Sequence, residues 1–294
     1  MIKEETKGYL YAVGAFIFWG LVPIYFKAVS TIPALEVLSN RVVWSVIFLA
    51  ILLFSSKQYK FLKNIIRSPK ELKILLITSL LISTNWLTFI IAINTDRLVE
   101  ASFGYFINPL VNVLLAFLFL KERLNIAQSF AVFLALLAVV YQILTLKSFP
   151  YIALILAFSF ATYGLLRKKV NLPAMPGLFI ETLLVSPVAI SYMVYLDINS
   201  LSHLQANLSA DTLLLVFAGF ITVVPLVWFN AAATKIPYST LGFIQYIGPT
   251  ISFLLAILVY KEPFNTHKLI SFILIWAALF LFSANSYIKY KKWS

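Results

Sequence analysis

Two ionisable residues, Arg41 and Glu181, stand inside long apolar runs, where charge is costly and functional by default. They lie 140 positions apart, each about seven residues in from one end of its run. At a rise of about 1.5 Å per residue, both would sit roughly 10 Å deep. In a hydrocarbon core of about 30 Å they would flank the midplane from opposite sides. An unpaired charge at that depth costs at least ~2.5–3.5 kcal/mol, so each should face a bundle interior and find a partner. One reading pairs them with each other across a cavity, or with backbone groups, as structural glue. The other sets them against charge on a substrate, with Glu181 able to take up a proton during the cycle.

Uncharged polar residues follow the same interior. Tyr105, Asn108 and Asn112 fall at i, i+3 and i+7, one helical stripe. Gln245, Gly248 and Ser252 repeat the stripe 140 residues later. Asn85 and Trp86, and Trp228 and Asn230, sit in the middle of two further runs. Interhelical hydrogen bonding, worth ~0.6 kcal/mol a bond, accounts for Asn112 and Asn230. Asn85, Tyr105, Asn108 and Gln245 are candidate cavity-lining residues, and Trp86 offers an aromatic wall for an amphipathic or cationic ligand. Pro23, Pro109, Pro187, Pro225 and Pro249 lie within runs, where each removes a backbone hydrogen bond and marks a kink or gating point.

The runs themselves demand a membrane. The 294 residues are 62% hydrophobic and 12% charged, with mean hydropathy +0.94. A water-soluble chain of that composition would expose more apolar surface than a monomer tolerates. About 20 apolar residues cross a bilayer as a helix. Ten segments qualify: roughly 8–28, 35–55, 72–94, 98–120, 126–146, 149–166, 174–196, 212–234, 238–260 and 267–287. The first lacks a small-residue cleavage site and reads as a retained helix rather than a signal peptide. With the N-terminus inside, seventeen Lys and Arg fall in cytoplasmic segments and five outside. The positive-inside rule therefore places both termini in the cytoplasm and absorbs the net charge of +12, leaving no basic surface for nucleic acid.

The remaining polar features have plain readings. In the 57–73 loop Lys57, Lys60, Lys63 and Arg67 alternate with Phe61, Leu62, Ile65 and Ile66. That is an ordinary positive-inside loop, with a helix lying on anionic lipid as its alternative. His203 and His267 are expected at the surface, not as metal ligands. Arg97 and Glu100 form a local ion pair at i, i+3. The terminal Lys-Lys-Trp-Ser is a basic tail in preference to a retrieval signal.

The segment 103–125 recurs at 243–265 with ten of 23 positions identical, among them Pro109/Pro249, Lys121-Glu122/Lys261-Glu262 and Asn125/Asn265. The same offset matches Pro33-Ala34 to Pro173-Ala174, Phe89 to Phe229 and Ala92 to Ala232. The expected fold is therefore all-α and integral to the membrane: ten transmembrane helices in two halves, 1–146 and 147–294. Five helices per half is odd, so the second half enters from the opposite side. Inverted repeats of this kind build a central site near the midplane that opens to either face. A membrane enzyme or a receptor without transport activity is the alternative. The enzyme would need convergent nucleophiles, acid–base pairs or metal ligands. The chain has no cysteine, its two histidines are expected at external turns rather than within the membrane, and Glu181 alone makes no catalytic pair. No metal or cofactor is expected, and no pattern argues for an oligomer.

Paired five-helix repeats with Lys-Glu after the fourth and ninth spans resemble the EamA-type drug/metabolite transporter superfamily. Phe18-Trp19-Gly20, Glu36 to Arg41 with Trp44-Ser45, Gly104 to Pro109 and Glu181-Thr182 resemble its RarD-type subgroup, which is associated with chloramphenicol sensitivity. Ser39-Asn40-Arg41 departs from it in lacking a histidine before the arginine. The resemblance implies a bacterial inner-membrane secondary carrier, often an exporter, of an amino acid, metabolite or amphipathic drug, with a proton as candidate coupling ion. Arg41, Glu181, Asn85, Trp86, Tyr105, Asn108 and Gln245 are the candidate substrate and coupling residues.

Overall fold

The computed structural model describes residues 4–95, 97–145, 151–204 and 209–259, with scattered positions between 267 and 284. Among the described residues the secondary structure is helical, in eleven helices. These are α1 (Glu4–Ala28), α2 (Ala34–Ser55), α3 (Lys60–Ile66), α4 (Pro69–Asn94), α5 (Leu98–Leu120) and α6 (Ile126–Thr145), then α7 (Tyr151–Val170), α8 (Ala174–Ile198), α9 (Ala210–Ala233), α10 (Tyr238–Ile244) and α11 (Ile247–Leu258). Seven of them are long and apolar enough to cross a membrane, and Gly104–Leu120 and Ile273–Phe282 are shorter apolar helices. Their outward faces carry Leu, Ile and Phe, as lipid contact requires. Much of the expected tenth span, Lys147, the Lys261-Glu262 pair, the side chain of Glu100 and the basic tail lie outside the described residues.

Two expectations need correction. The ninth span is not one helix: α10 and α11 are separated at Gln245 and Tyr246. The cause is Pro249, which has no N–H to give the Gln245 carbonyl four residues back. That carbonyl accepts from Gly248 N instead, at 3.1 Å, which tightens the turn. Secondly, the basic loop after α2 contains a short helix, α3, whose Phe61 and Ile66 are exposed. Ile65 is buried there with Leu75 and Ile180, between α4 and α8.

The repeat is visible in which helices touch. α1 packs on α9, and their counterparts at the 140-residue offset, α7 and α4, pack on each other. The same exchange relates α5–α7 to α11–α1 and α2–α9 to α8–α4, while α2–α8 and α5–α10 map onto themselves. The helices of the two halves thus interleave in a pseudo-twofold arrangement. α2 and α8 begin identically, at Pro33 (φ −54°, ψ 138°) and Pro173 (φ −52°, ψ 138°), since proline presets the first turn of a helix.

Close crossings in lipid rely on small residues, because the driving force is packing rather than release of water. Gly219 of α9 is such a point: a Cβ there would stand 2.6 Å from the Trp44 carbonyl carbon of α2. Backbone cannot yield as a side chain can. Gly219→Val is expected to cost about 1–3 kcal/mol by overpacking, read as a lower thermal unfolding midpoint in detergent. An unchanged midpoint would show that α2 and α9 are not held this closely.

Candidate functional site

A cavity of about 100 Å³ lies at the crossing of α1, α2, α4, α5, α7 and the α10–α11 break. Six of the seven candidate residues line it: Arg41, Asn85, Trp86, Tyr105, Asn108 and Gln245. Phe16, Trp19, Phe26, Phe89 and Phe160 complete an aromatic wall. Among the described residues, Arg41 is the only charged one in the lining. Proline positions explain why the chamber is here. Pro23, Pro109, Pro225 and Pro249 each deny a helical N–H to the carbonyl four residues earlier, on Trp19, Tyr105, Ile221 and Gln245. All four of those residues line the cavity. Pro187 is the exception, since Leu183 four residues before it is exposed on the outer face.

Arg41 is 6% exposed and held from α9, donating from Nε to Thr222 Oγ1 at 2.9 Å. Its guanidinium carbon lies 4.7 Å from the Trp86 ring centroid and 5.3 Å from that of Phe26. Trp86 is therefore not the open wall for a ligand cation that its sequence position suggested; the protein's own arginine covers it.

The amides form a relay. Asn108 Nδ2 donates to the Ala157 carbonyl at 2.7 Å, which turns Asn108 Oδ1 toward Asn112. Asn112 Nδ2 donates both to that oxygen, at 3.2 Å, and to Gln245 Oε1, at 2.9 Å. Asn85 Nδ2 bridges α4 to α7, donating to the Leu156 carbonyl and Ser159 Oγ, both at 2.9 Å. Asn230 donates to Tyr163 Oη at 2.7 Å. The interhelical role expected for Asn112 and Asn230 is what these bonds supply.

Glu181 is elsewhere. It does not line the chamber, and its ion partner is Arg167 of α7, not Arg41 (Nε to Oε1, 3.7 Å). Thr78 donates to Oε1 at 2.5 Å and Tyr163 to Oε2 at 3.3 Å. Arg167 is 1% exposed, although its place in an Arg-Lys-Lys triplet reads as a cytoplasmic loop. Gly177 makes the room: a Cβ there would stand 2.1 Å from Arg167 Nη1. Periodicity gave no sign of this pair, because a triplet at a helix end looks like topology signal.

Sequence reasoning also missed the group that closes one end of the bundle. Glu122 accepts from Tyr238 N (2.8 Å), Ser239 N (3.0 Å) and Ser239 Oγ (2.7 Å), so it caps the start of α10 from the end of α5. Lys168 Nζ bonds the carbonyls of Ala233 and Ile236 at 2.9 and 2.7 Å, and Tyr238 Oη donates to the Ala161 carbonyl at 2.7 Å. At the other end, Glu36 accepts from His203 N at 2.6 Å and pairs with Nδ1 at 2.7 Å, which pins the loop after α8.

Removing one member of a buried ion pair strands the other, a loss of about 3–5 kcal/mol. Arg167→Met is expected to lower the thermal midpoint sharply, and Glu181→Gln in that background to restore most of the loss. Exchanging charges between Arg41 and Glu181 is expected to restore nothing. Recovery of stability in the Arg41→Glu, Glu181→Arg double variant would overturn the assignment of partners.

Comparison with known proteins places this geometry. Residues 6–144 and 149–284 each match the EamA-like transporter family. An "Uncharacterized transporter" of Vibrio cholerae is 47% identical over 96% of this chain and 94% of its own. "Protein RarD" of Escherichia coli is 46% identical over 95% of both chains. A solved structure titled "Crystal structure of protein" superposes with a TM-score of 0.71, over 93% of this chain and 96% of its own. At 15% identity it speaks to the fold alone. The chain belongs to the EamA-like transporter family, with relatives named RarD, and is a membrane transporter of the drug/metabolite type.

Proposed function

We propose that this transporter is a secondary-active exporter working by alternating access, built as ten spans in two inverted halves, 1–146 and 147–294. Its setting is a bacterial inner membrane, with both termini cytoplasmic. The chamber around Arg41 is the substrate site, walled by Asn85, Trp86, Tyr105, Asn108 and Gln245. Its cargo is a small metabolite, amino acid or amphipathic drug. Glu181 is the coupling group, hydrogen-bonded to Thr78 and Tyr163 and ion-paired with Arg167, where a proton taken up or released would alter all three contacts.

One observation carries this reading: the chamber lies off-centre along its helices, and the end away from it is tied by a cluster of hydrogen bonds. Its lining belongs to the second halves of α1 and α4 and the first halves of α2, α5 and α7. The opposite end is tied by Glu122, Lys168 and Tyr238. A largely apolar cavity with a few polar groups, tied off on one side, supports a carrier caught in one of its two orientations.

Flux in proteoliposomes under an imposed pH gradient tests it, over a panel of amino acids, nucleosides and chloramphenicol. Saturable movement of at least one compound is expected, with Glu181→Gln reducing the rate tenfold or more and flattening its pH dependence. Folded protein that moves nothing across the panel would sink the proposal. The seal has its own test, made simple by the absence of native cysteine. In a Ser252→Cys background, Glu122→Ala is expected to raise labelling by a membrane-impermeant thiol reagent from the N-terminal side several-fold. Unchanged labelling would leave Glu122 a helix cap and nothing more.

A further inference from the structure

We infer that the chamber contains a carboxylate subsite, made by the terminal nitrogens of Arg41 and the side-chain amide nitrogen of Gln245, and that the transported molecule carries a carboxylate on a small apolar or aromatic body. The inference rests on the chamber being the substrate site and adds what the site selects.

The chain of cause begins at a backbone carbonyl. Ala157 C=O accepts from Asn108, so the Asn108 oxygen faces Asn112; Asn112 spends its two N–H groups on that oxygen and on Gln245 Oε1. Reversing Asn108 or Asn112 would set oxygen against oxygen, and reversing Gln245 would set its nitrogen against the Asn112 nitrogen, donor against donor. Gln245 is thereby fixed with its oxygen consumed and its nitrogen left over. That nitrogen has no hydrogen-bond partner among the described residues, yet it is not among the enclosed unsatisfied atoms, so it opens on the chamber that Gln245 lines. Gln245 is only 4% exposed, which rules out bulk solvent as the intended partner.

Arg41 presents the same sign. Its Nε is committed to Thr222, and its Nη1 and Nη2 take no partner among the described residues while also escaping the enclosed unsatisfied set. An arginine donates from a planar fork that matches a carboxylate, and such charge-assisted bonds are roughly twice as strong as neutral ones. No carboxylate lines the chamber to neutralise it. In a low-dielectric chamber an amine lacking an acid group would meet Arg41 as a like charge. The proline-freed carbonyls are dipoles and leave that balance positive.

Equilibrium binding of radiolabelled phenylacetate to the purified full chain tests the subsite, with phenylacetamide and phenethylamine as isosteric competitors. Saturable phenylacetate binding is expected, with the amide at least tenfold weaker and the amine not competing. Gln245→Glu, which keeps the shape and reverses the donor, is expected to weaken phenylacetate at least tenfold. Arg41→Lys, which keeps the charge and loses the fork, should weaken it several-fold. Asn112→Leu releases the relay without touching ligand, so the preference for acid over amide should shrink; unchanged preference would remove Asn112 as a positioning residue and overturn the relay. Thermal unfolding profiles confirm that each variant is folded. No saturable phenylacetate binding by folded wild-type protein, an amine that competes as well as the acid, or full affinity in Gln245→Glu would each overturn the subsite. Flux of a panel compound without phenylacetate binding would leave the carrier standing and the subsite fallen; phenylacetate binding without any flux would do the reverse.

Discussion

Hydrocarbon offers a buried charge no partner, so the protein must supply one or leave the charge for a ligand. The structure answers this demand in opposite ways at two positions 140 residues apart. Glu181 is saturated by a cation, a hydroxyl and a phenol. Arg41 is braced by one hydroxyl and two ring faces, and its terminal nitrogens keep their donors. The same demand governs uncharged groups. Each of four prolines frees a carbonyl at a chamber-lining residue, and a freed carbonyl in lipid is tolerable only beside a cavity. Chamber, charge and broken backbone are consequences of one solvent.

The sequence reveals the fold at the level where chemistry repeats. Pro, Lys-Glu and Asn recurring in register expose the duplication, and the contact pattern of the helices follows the same exchange. It reveals the chamber through polar side chains at helical spacing, since a polar residue in an apolar run has an interior to face. Partners are another matter. Arg167 belongs to a basic triplet whose neighbours are topology signal, and only Gly177, on another helix, makes the room that lets it turn inward. Glu122 stands in a repeat motif, but its role depends on two N–H groups at the start of a helix more than a hundred residues away. Periodicity assigns a face; it does not assign which of several facing helices supplies the mate. The split of α10 from α11 was within reach, because a proline four residues after a polar lining residue names the carbonyl it frees.

Equivalent sequences here adopt inequivalent structures, as the proposed alternating access requires. Pro109 and Pro249 hold the same repeat position, yet α5 runs unbroken from Leu98 to Leu120 while its counterpart divides at Gln245. Glu122 closes on Tyr238 and Ser239, which are the repeat mates of Leu98 and Val99. Glu262 is the repeat mate of Glu122, and in the proposed exchange of the two halves α10 would continue into α11 while α5 gave way at Tyr105. Both latches closed at once would trap the cargo, and both open would leak. A duplicated chain avoids each by breaking the helix at one of two equivalent prolines and keeping it continuous at the other. The energy separating the two orientations is then the difference between two versions of the same local structure. Such a difference is small by construction, which is what the proposed switching by a bound carboxylate or a transferred proton requires.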